Sequence, residues 1–361
     1  MKRLLTLAAM FLCCMTTTFA QFTGSGSGTQ NDPYLILNPI NLNQLRHFLN
    51  QEGVYFKLMA NIDLTEYLED EKPDQGWQPV GNSSSAAFKG ILDGNGKTIS
   101  GLWINRGSTD YVGLFGYTSG ATIKNLTIVA TTIIGKNTVG GISGYSEKST
   151  FSEISFSGQL QGGSNVGGLI GNSGDNLTLA EDRLNVIISA SGDNVGGLIG
   201  KNTGNCSVSK CHVNNSKISG NNYIGGICGN ITSSTLLLCS VNSFITGVDY
   251  VGGISGMFNG NATNCSFVGN LNAHSYVGGI FGCSKSINFG NILSVSNCYA
   301  IGMISASGDE VGGIIGETSY YLSRPYTYST NLSSSYFNGK IVANNYVGGI
   351  IGKAQCGSVT N

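Results

Sequence analysis

The hexapeptide Val139-Gly140-Gly141-Ile142-Ser143-Gly144 decides the fold, because close variants of it recur along most of the chain. They stand at residues 166–171, 195–200, 224–229, 251–256, 277–282, 311–316 and 347–352, and Tyr111-Val112-Gly113-Leu114-Phe115-Gly116 opens the series. The closing glycines are Gly116, Gly144, Gly171, Gly200, Gly229, Gly256, Gly282, Gly316 and Gly352, spaced 26 to 36 residues apart. A period in this range marks a solenoid, in which each unit buries its apolar face against its neighbours.

Three apolar columns run through the repeats. The first is the motif's own Leu114, Ile142, Leu169, Leu198, Ile227, Ile254, Ile280, Ile314 and Ile350. The second holds Leu160, Ile188, Ile218, Ile245, Leu271, Ile304 and Ile341; the third holds Leu126, Ile154, Cys211, Cys239, Cys265 and Cys298. β-branched residues dominate, proline is scarce, and no unit shows a helical period. Three segments per unit predict three strands and three corners per coil. The expected fold is all-β: a single-stranded, right-handed parallel β-helix of about nine coils, on the order of 40 Å long at roughly 4.8 Å per coil. The glycines are expected where corners need φ > 0 and where backbones approach closely.

Four regions are expected: a signal peptide over 1–20, a flexible leader over 21–31, an N-terminal cap over 32–76, and the β-helix over 77–361. Lys2 and Arg3, the apolar stretch from Leu4 to Cys14, and Thr18-Phe19-Ala20 carry the first. The cap is read as β-α-β, with one amphipathic helix from Pro39 to near Gly53. Residues 60–107 read as irregular, with an acidic patch at Glu66, Glu69, Asp70, Glu71 and Asp74, taken as a solvated turn rather than a calcium loop. Only 11% of residues are charged and the net charge is −1, so no basic stripe awaits nucleic acid. No run is long enough for a transmembrane helix. A phosphate loop is excluded, since no Lys-Ser/Thr and no helix follow the glycines.

The repeats resemble the GLUG motif, found in bacterial surface proteins and beside the catalytic domain of M26-type immunoglobulin A1 peptidases. Phe88-Lys89-Gly90-Ile91-Leu92-Asp93-Gly94-Asn95-Gly96 resembles the usual entry to such arrays. The resemblance spans roughly residues 77–352 and implies a surface, adhesin-like role. The peptidases' HExxH zinc site has no counterpart here, since His47, His212 and His274 lie in no such motif.

Eight cysteines follow the signal segment, at 206, 211, 228, 239, 265, 283, 298 and 356. Four of them fill an apolar column, which points to buried free thiols rather than a bridged ladder. No paired CxxC is present, so zinc is not expected. Before each motif valine runs a polar corner column: Asn137, Ser164, Asp193, Asn222, Asp249, Ser275, Asp309 and Asn345, expected to bond local backbone. Beside it recur Tyr223, Tyr250, Tyr276 and Tyr346, the ligand-binding candidates. They suit either stacking on sugar rings or a cross-strand stack supporting the sheet. Acid/base catalysis would need paired carboxylates, and the nearest, Asp249, Asp309 and Glu310, sit two coils apart without a basic column. The sequence therefore predicts an exported, non-catalytic binding scaffold on the cell surface. It would need no cofactor or metal and would take a glycan or protein ligand on a host or neighbouring cell. The rivals are a polysaccharide lyase or glycosidase and a passive spacer. End-to-end association through the C-terminal coil is a further expectation.

Overall fold

In the computed structural model, which describes residues 22–286, 292–320, 329–355 and 358–360, the repeats stack as coils of a parallel β-helix. The coil beginning at Val166 shows why. Its strands are Val166–Gly167, Ile170–Ser173, Leu177–Ala180 and Arg183–Ala190. Each pairs in parallel with its counterpart one coil on: Val166 with Val195, Ile170 with Ile199, Leu177 with Cys206, Leu184 with Val213. The coil thus has four strands rather than the expected three. The motif's Val-Gly pair forms its own two-residue strand before the chain arches over the next Gly-Leu. Eight such strands form one ladder, and Val112 bridges to Val139 at its start.

The apolar columns hold this stack together. Leu160, Ile188, Ile218, Ile245, Leu271 and Ile304 pair successively and are buried. The motif's Leu114 through Ile314 are fully buried as well. Burying each such side chain contributes roughly 1.5–3 kcal/mol, and in-register stacking repeats that gain in every coil. The third column is continuous, but a carboxyl fills the coil that the sequence reading left blank. Asp182, 0% exposed, follows Ile154 and precedes Cys211. Its Oδ1 accepts the Ile154 N–H at 2.9 Å, and its Oδ2 lies 3.8 Å from Cys211 Sγ. Cys206, Cys211, Cys228, Cys239, Cys265, Cys283 and Cys298 are buried and unbridged. Residues 1–20 and Cys356 lie outside the described residues.

The N-terminal segment joins the same stack. Strand β1 (Tyr34–Ile36) pairs in parallel with β2 (Tyr55–Leu58), and β2 with a later, longer strand at Ile91. Between β1 and β2, helix α1 (Pro39–Asn43) is capped by Asn38 Oδ1 and passes into a 3-10 turn, Gln44–Phe48. It is much shorter than the single helix expected. The expected flexible leader is anchored at its start, though most of its residues are exposed. Phe22 is buried with its ring 4.7 Å from that of Tyr34, and Gln44 Oε1 accepts from both Thr23 N and Oγ1 at 3.0 Å. One aromatic side chain outweighs the Gly/Ser composition around it.

Residues 60–107 are irregular only over 72–90. They contain β3 (Ile62–Asp63), α2 (Thr65–Glu71) and the long β4 (Ile91–Arg106). Asp93-Gly94-Asn95-Gly96, whose composition signals a turn, lies inside β4. Asn95 (φ 52) and Gly96 (φ 68) bend the strand there, and its register shifts between Asp93 and Lys97. Glu66, Glu69, Asp70 and Glu71 stand exposed on α2, with Asp74 just beyond.

Candidate binding face

At the arch, one of the two reasons expected for glycine holds and the other falls on a different residue. None of the motif glycines has positive φ; all but Gly349, in the last coil, are required by close approach. A Cβ on Gly144 would sit 2.5 Å from Tyr111 C, and one on Gly282 would sit 2.6 Å from Val251 N. The left-handed conformation falls on the residue before each motif valine. Tyr111, Thr138, Asn165, Asn194, Tyr223, Tyr250, Tyr276, Glu310 and Tyr346 all lie between φ 51 and 61. Asn tolerates that region through local polar contacts, whereas Tyr and Glu pay about 1–2 kcal/mol there.

A second ladder fixes the corner one residue earlier. Asn137 Oδ1 accepts from Ser164 N at 2.9 Å, Ser164 Oγ from Asp193 N at 3.1 Å, and Asp193 Oδ1 from Asn222 N at 3.1 Å. Asn222 Oδ1 accepts from Asp249 N, Asp249 Oδ1 from Ser275 N, Ser275 Oγ from Asp309 N, and Asp309 Oδ1 from Asn345 N, at 3.0–3.2 Å. Each side chain thus serves the next coil's backbone rather than its own, contrary to the local bonds expected. This also explains Asp249 and Asp309: both are structural acceptors, and Asp249 Oδ1 additionally holds His274 Nδ1 at 3.0 Å.

Because the arch folds back on itself, the residue after its closing glycine lies beside the residue before its valine. That adjoining column pairs Tyr117 with Tyr145, then runs through Asn172, Lys201, Asn230, Met257, Cys283 and Glu317 to Lys353. Together the two columns make one long face.

At its centre Tyr223, Tyr250 and Tyr276 stack, with ring centroids 4.8 and 4.5 Å apart and planes within 13° and 8°. These spacings match the strand separation, so the rings cover one another's faces and present edges and hydroxyls outward. Burial holds the hydroxyls of all three above the usual tyrosine range, ahead of the charges of Asp193 at Tyr223 and Glu310 at Tyr276. The hydroxyls therefore remain protonated donors at neutral pH. Tyr346 does not join this stack. Glu310 separates it from Tyr276 in the column, it is 60% exposed, and Lys353 Nζ lies 5.8 Å from its ring centroid.

Sequence reasoning missed three parts of this face. Tyr111 occupies the same left-handed column, 38% exposed, and makes edge contacts with the stacked pair Tyr117 and Tyr145. Glu317 shares Lys353 with Glu310, each carboxylate 3.3 Å from Nζ. Counting one residue outward from each motif, on both sides, would have found all of them. Among the described residues no group of His, Cys, Asp and Glu is arranged to hold a metal ion. No helix there is long and apolar enough to cross a membrane.

The fold and this face define a glycine-arched parallel β-helix that displays two side-chain columns. The chain carries the family feature described as the GLUG motif, matched at residues 191–219, and the remaining hexapeptides fall in register with it. Halomucin of Haloquadratum walsbyi is 35% identical over 158 residues, 43% of this chain and 2% of halomucin. A protein of Evansella cellulosilytica, provisionally named a Gly-rich membrane protein, is 38% identical over 128 residues, 32% of this chain and 14% of its own length. The chain therefore spans a small fraction of both relatives. Among solved structures, a candidate immunoglobulin A1 protease from Bacteroides ovatus is 22% identical with a TM-score of 0.49, covering 69% of this chain and 79% of its own. A second, described as IgA1 protease, is 16% identical with a TM-score of 0.43, covering 83% and 21%.

Proposed function

We propose that this chain is an exported, non-catalytic surface scaffold, adhesin-like in role, that binds a glycan along the face flanking the glycine arches. One observation carries the reading. Tyr223, Tyr250 and Tyr276 occupy a strained backbone conformation that Asn165 and Asn194 fill at less cost in neighbouring coils. Strain kept in consecutive coils supports a use for the side chains beyond folding. The stacked trio supplies a row of hydroxyls about one strand spacing apart, suited to hydrogen-bonding a polymer laid along the coils. Tyr111 and Tyr346, outside that stack, are the better platforms for sugar rings. This replaces ring stacking on Tyr250, both of whose faces are covered by its neighbours' rings.

The test incubates residues 21–361 with a polysaccharide panel and assays the supernatant for protein depletion and for released oligosaccharides. Tyr250→Asn and Tyr276→Asn relieve about 1–2 kcal/mol of backbone strain while losing about 0.5–1.5 kcal/mol of stacking, so stability should hardly change. Affinity should fall about tenfold or more, the loss of one or two ligand hydrogen bonds. Unchanged binding by both variants would remove the trio from the account.

A carbohydrate-active enzyme is the second reading; of the sequence candidates Asp249, Asp309 and Glu310, it would rest on Glu310, which has Glu317 as a neighbour through Lys353. Glu310 and Glu317 are the two nearly buried carboxylates that share Lys353 beside Tyr276. Released product that disappears in Glu317→Gln would favour it.

A further inference from the structure

A cleft of about 330 Å³ opens where the N-terminal coils meet the start of the binding face. Arg46, Arg106, Leu49, Pro79, Asp110 and Tyr111 line it. Two cations here face each other at a cost. Arg46 is half-buried, its guanidinium disfavoured first by burial, eased in part by Tyr67, and disfavoured again by the charge of Arg106. Neither arginine makes an ion pair with a carboxylate among the described residues, whereas Asp110 lies 3.9 Å from Lys136.

Both forks are nonetheless held rigidly, and by neutral acceptors. Arg46 Nε donates to Asn43 O and Oδ1, and its Nη2 donates to Gln78 O at 3.0 Å. Arg106 Nε donates to Trp77 O at 3.2 Å, and its Nη1 to Gln75 Oε1. Arg46 also lies 5.7 Å from the centroid of the Trp77 ring, which is buried. Consecutive carbonyls, Trp77 O and Gln78 O, thus clamp the two guanidinium groups while each keeps N–H groups to spare. Preorganised, uncompensated forks in a cleft are what a bidentate anion requires. Leu49, Pro79 and Tyr111 supply an apolar wall for a ring attached to it. The nearby Asp110 favours a single negative charge over the greater charge of phosphate.

We infer that this cleft is a subsite for the carboxylate of a uronic-acid unit, with Arg46 and Arg106 as its ligands and Tyr111 joining it to the face. The inference rests on the glycan reading and names the sugar class that would enter at this end.

The experiment follows the Trp77 indole N–H resonance while the full chain is titrated with free galacturonate, galactose or inorganic phosphate. Galacturonate should shift it in a saturable way and galactose should not. Arg106→Gln should weaken galacturonate about tenfold or more, and Arg106→Lys less. No shift with galacturonate, an equal shift with galactose, or tighter binding of phosphate overturns the subsite. Should Arg46→Gln fail to fold, Arg106→Gln decides, because Arg106 lies nearer the surface. The monosaccharide addresses the cleft alone. Its failure therefore leaves intact any depletion on neutral polysaccharide that depends on Tyr250 and Tyr276, and loss of that depletion leaves this titration unaffected.

Discussion

Asp182 shows how one residue sets a condition on the whole stack. It sits where Leu126 and Ile154 lie in earlier coils, and burial pushes its carboxyl up to about 7, more than its hydrogen bond from Ile154 lowers it. Unfolded, the group would titrate near 3.9. The folded chain therefore binds the extra proton between about pH 4 and 7, and stability falls as pH rises through that window. The full effect is roughly 4 kcal/mol at its upper bound. Thermal melts should show the wild type losing stability from pH 5 to 8, and Asp182→Asn should flatten the profile and melt higher at pH 8. A wild-type profile parallel to that of the variant would sink the neutral-carboxyl account. The sequence hid this residue because the column was read by apolarity. Its spacing, thirteen residues before Val195, was already visible.

At the scale of the element, the arch separates what sequence could tell from what it could not. Isoleucine and leucine columns were legible, since register and burial act on the same side chains that create the pattern. Left-handed tyrosines were not, because Tyr has no preference for that region and the backbone pairing of one arch to the next imposes it whatever the side chain. Likewise, β4 hid behind a turn signal that bends a strand without ending it. The motif glycines were legible as necessary but for partly the wrong reason, and substitution separates the reasons. Gly282→Ala brings Cβ to 2.6 Å from Val251 N and 2.7 Å from Tyr250 C, all rigid backbone, and should cost about 3 kcal/mol in chemical denaturation. Gly349→Ala meets nothing within 4 Å and should stay within about 0.5 kcal/mol. Equal losses in both would mean that backbone conformation, not close approach, selects glycine here.

For the whole molecule, energy is nearly a sum over neighbouring coils. Removing residues 195–223 joins Asn194 to Ile224 and carries each ladder across the cut in register. That variant should remain a cooperative β protein, shorter by about 4.8 Å along its axis in small-angle scattering. Removing only residues 195–208 breaks every column at once and should abolish the transition. If both deletions unfold alike, the coils are not the units of stability.

The arch grips its neighbours with backbone atoms, so the two positions flanking it take residues as different as Asn, Tyr, Lys and Glu. The face is then a text of two letters per coil, set in a frame that does not depend on what is written. Coils exchanged at the shared glycines would alter the wording and keep the line spacing. Under the binding role proposed above, a lineage of such chains would change what it recognises by reordering whole coils, without having to solve the folding problem again.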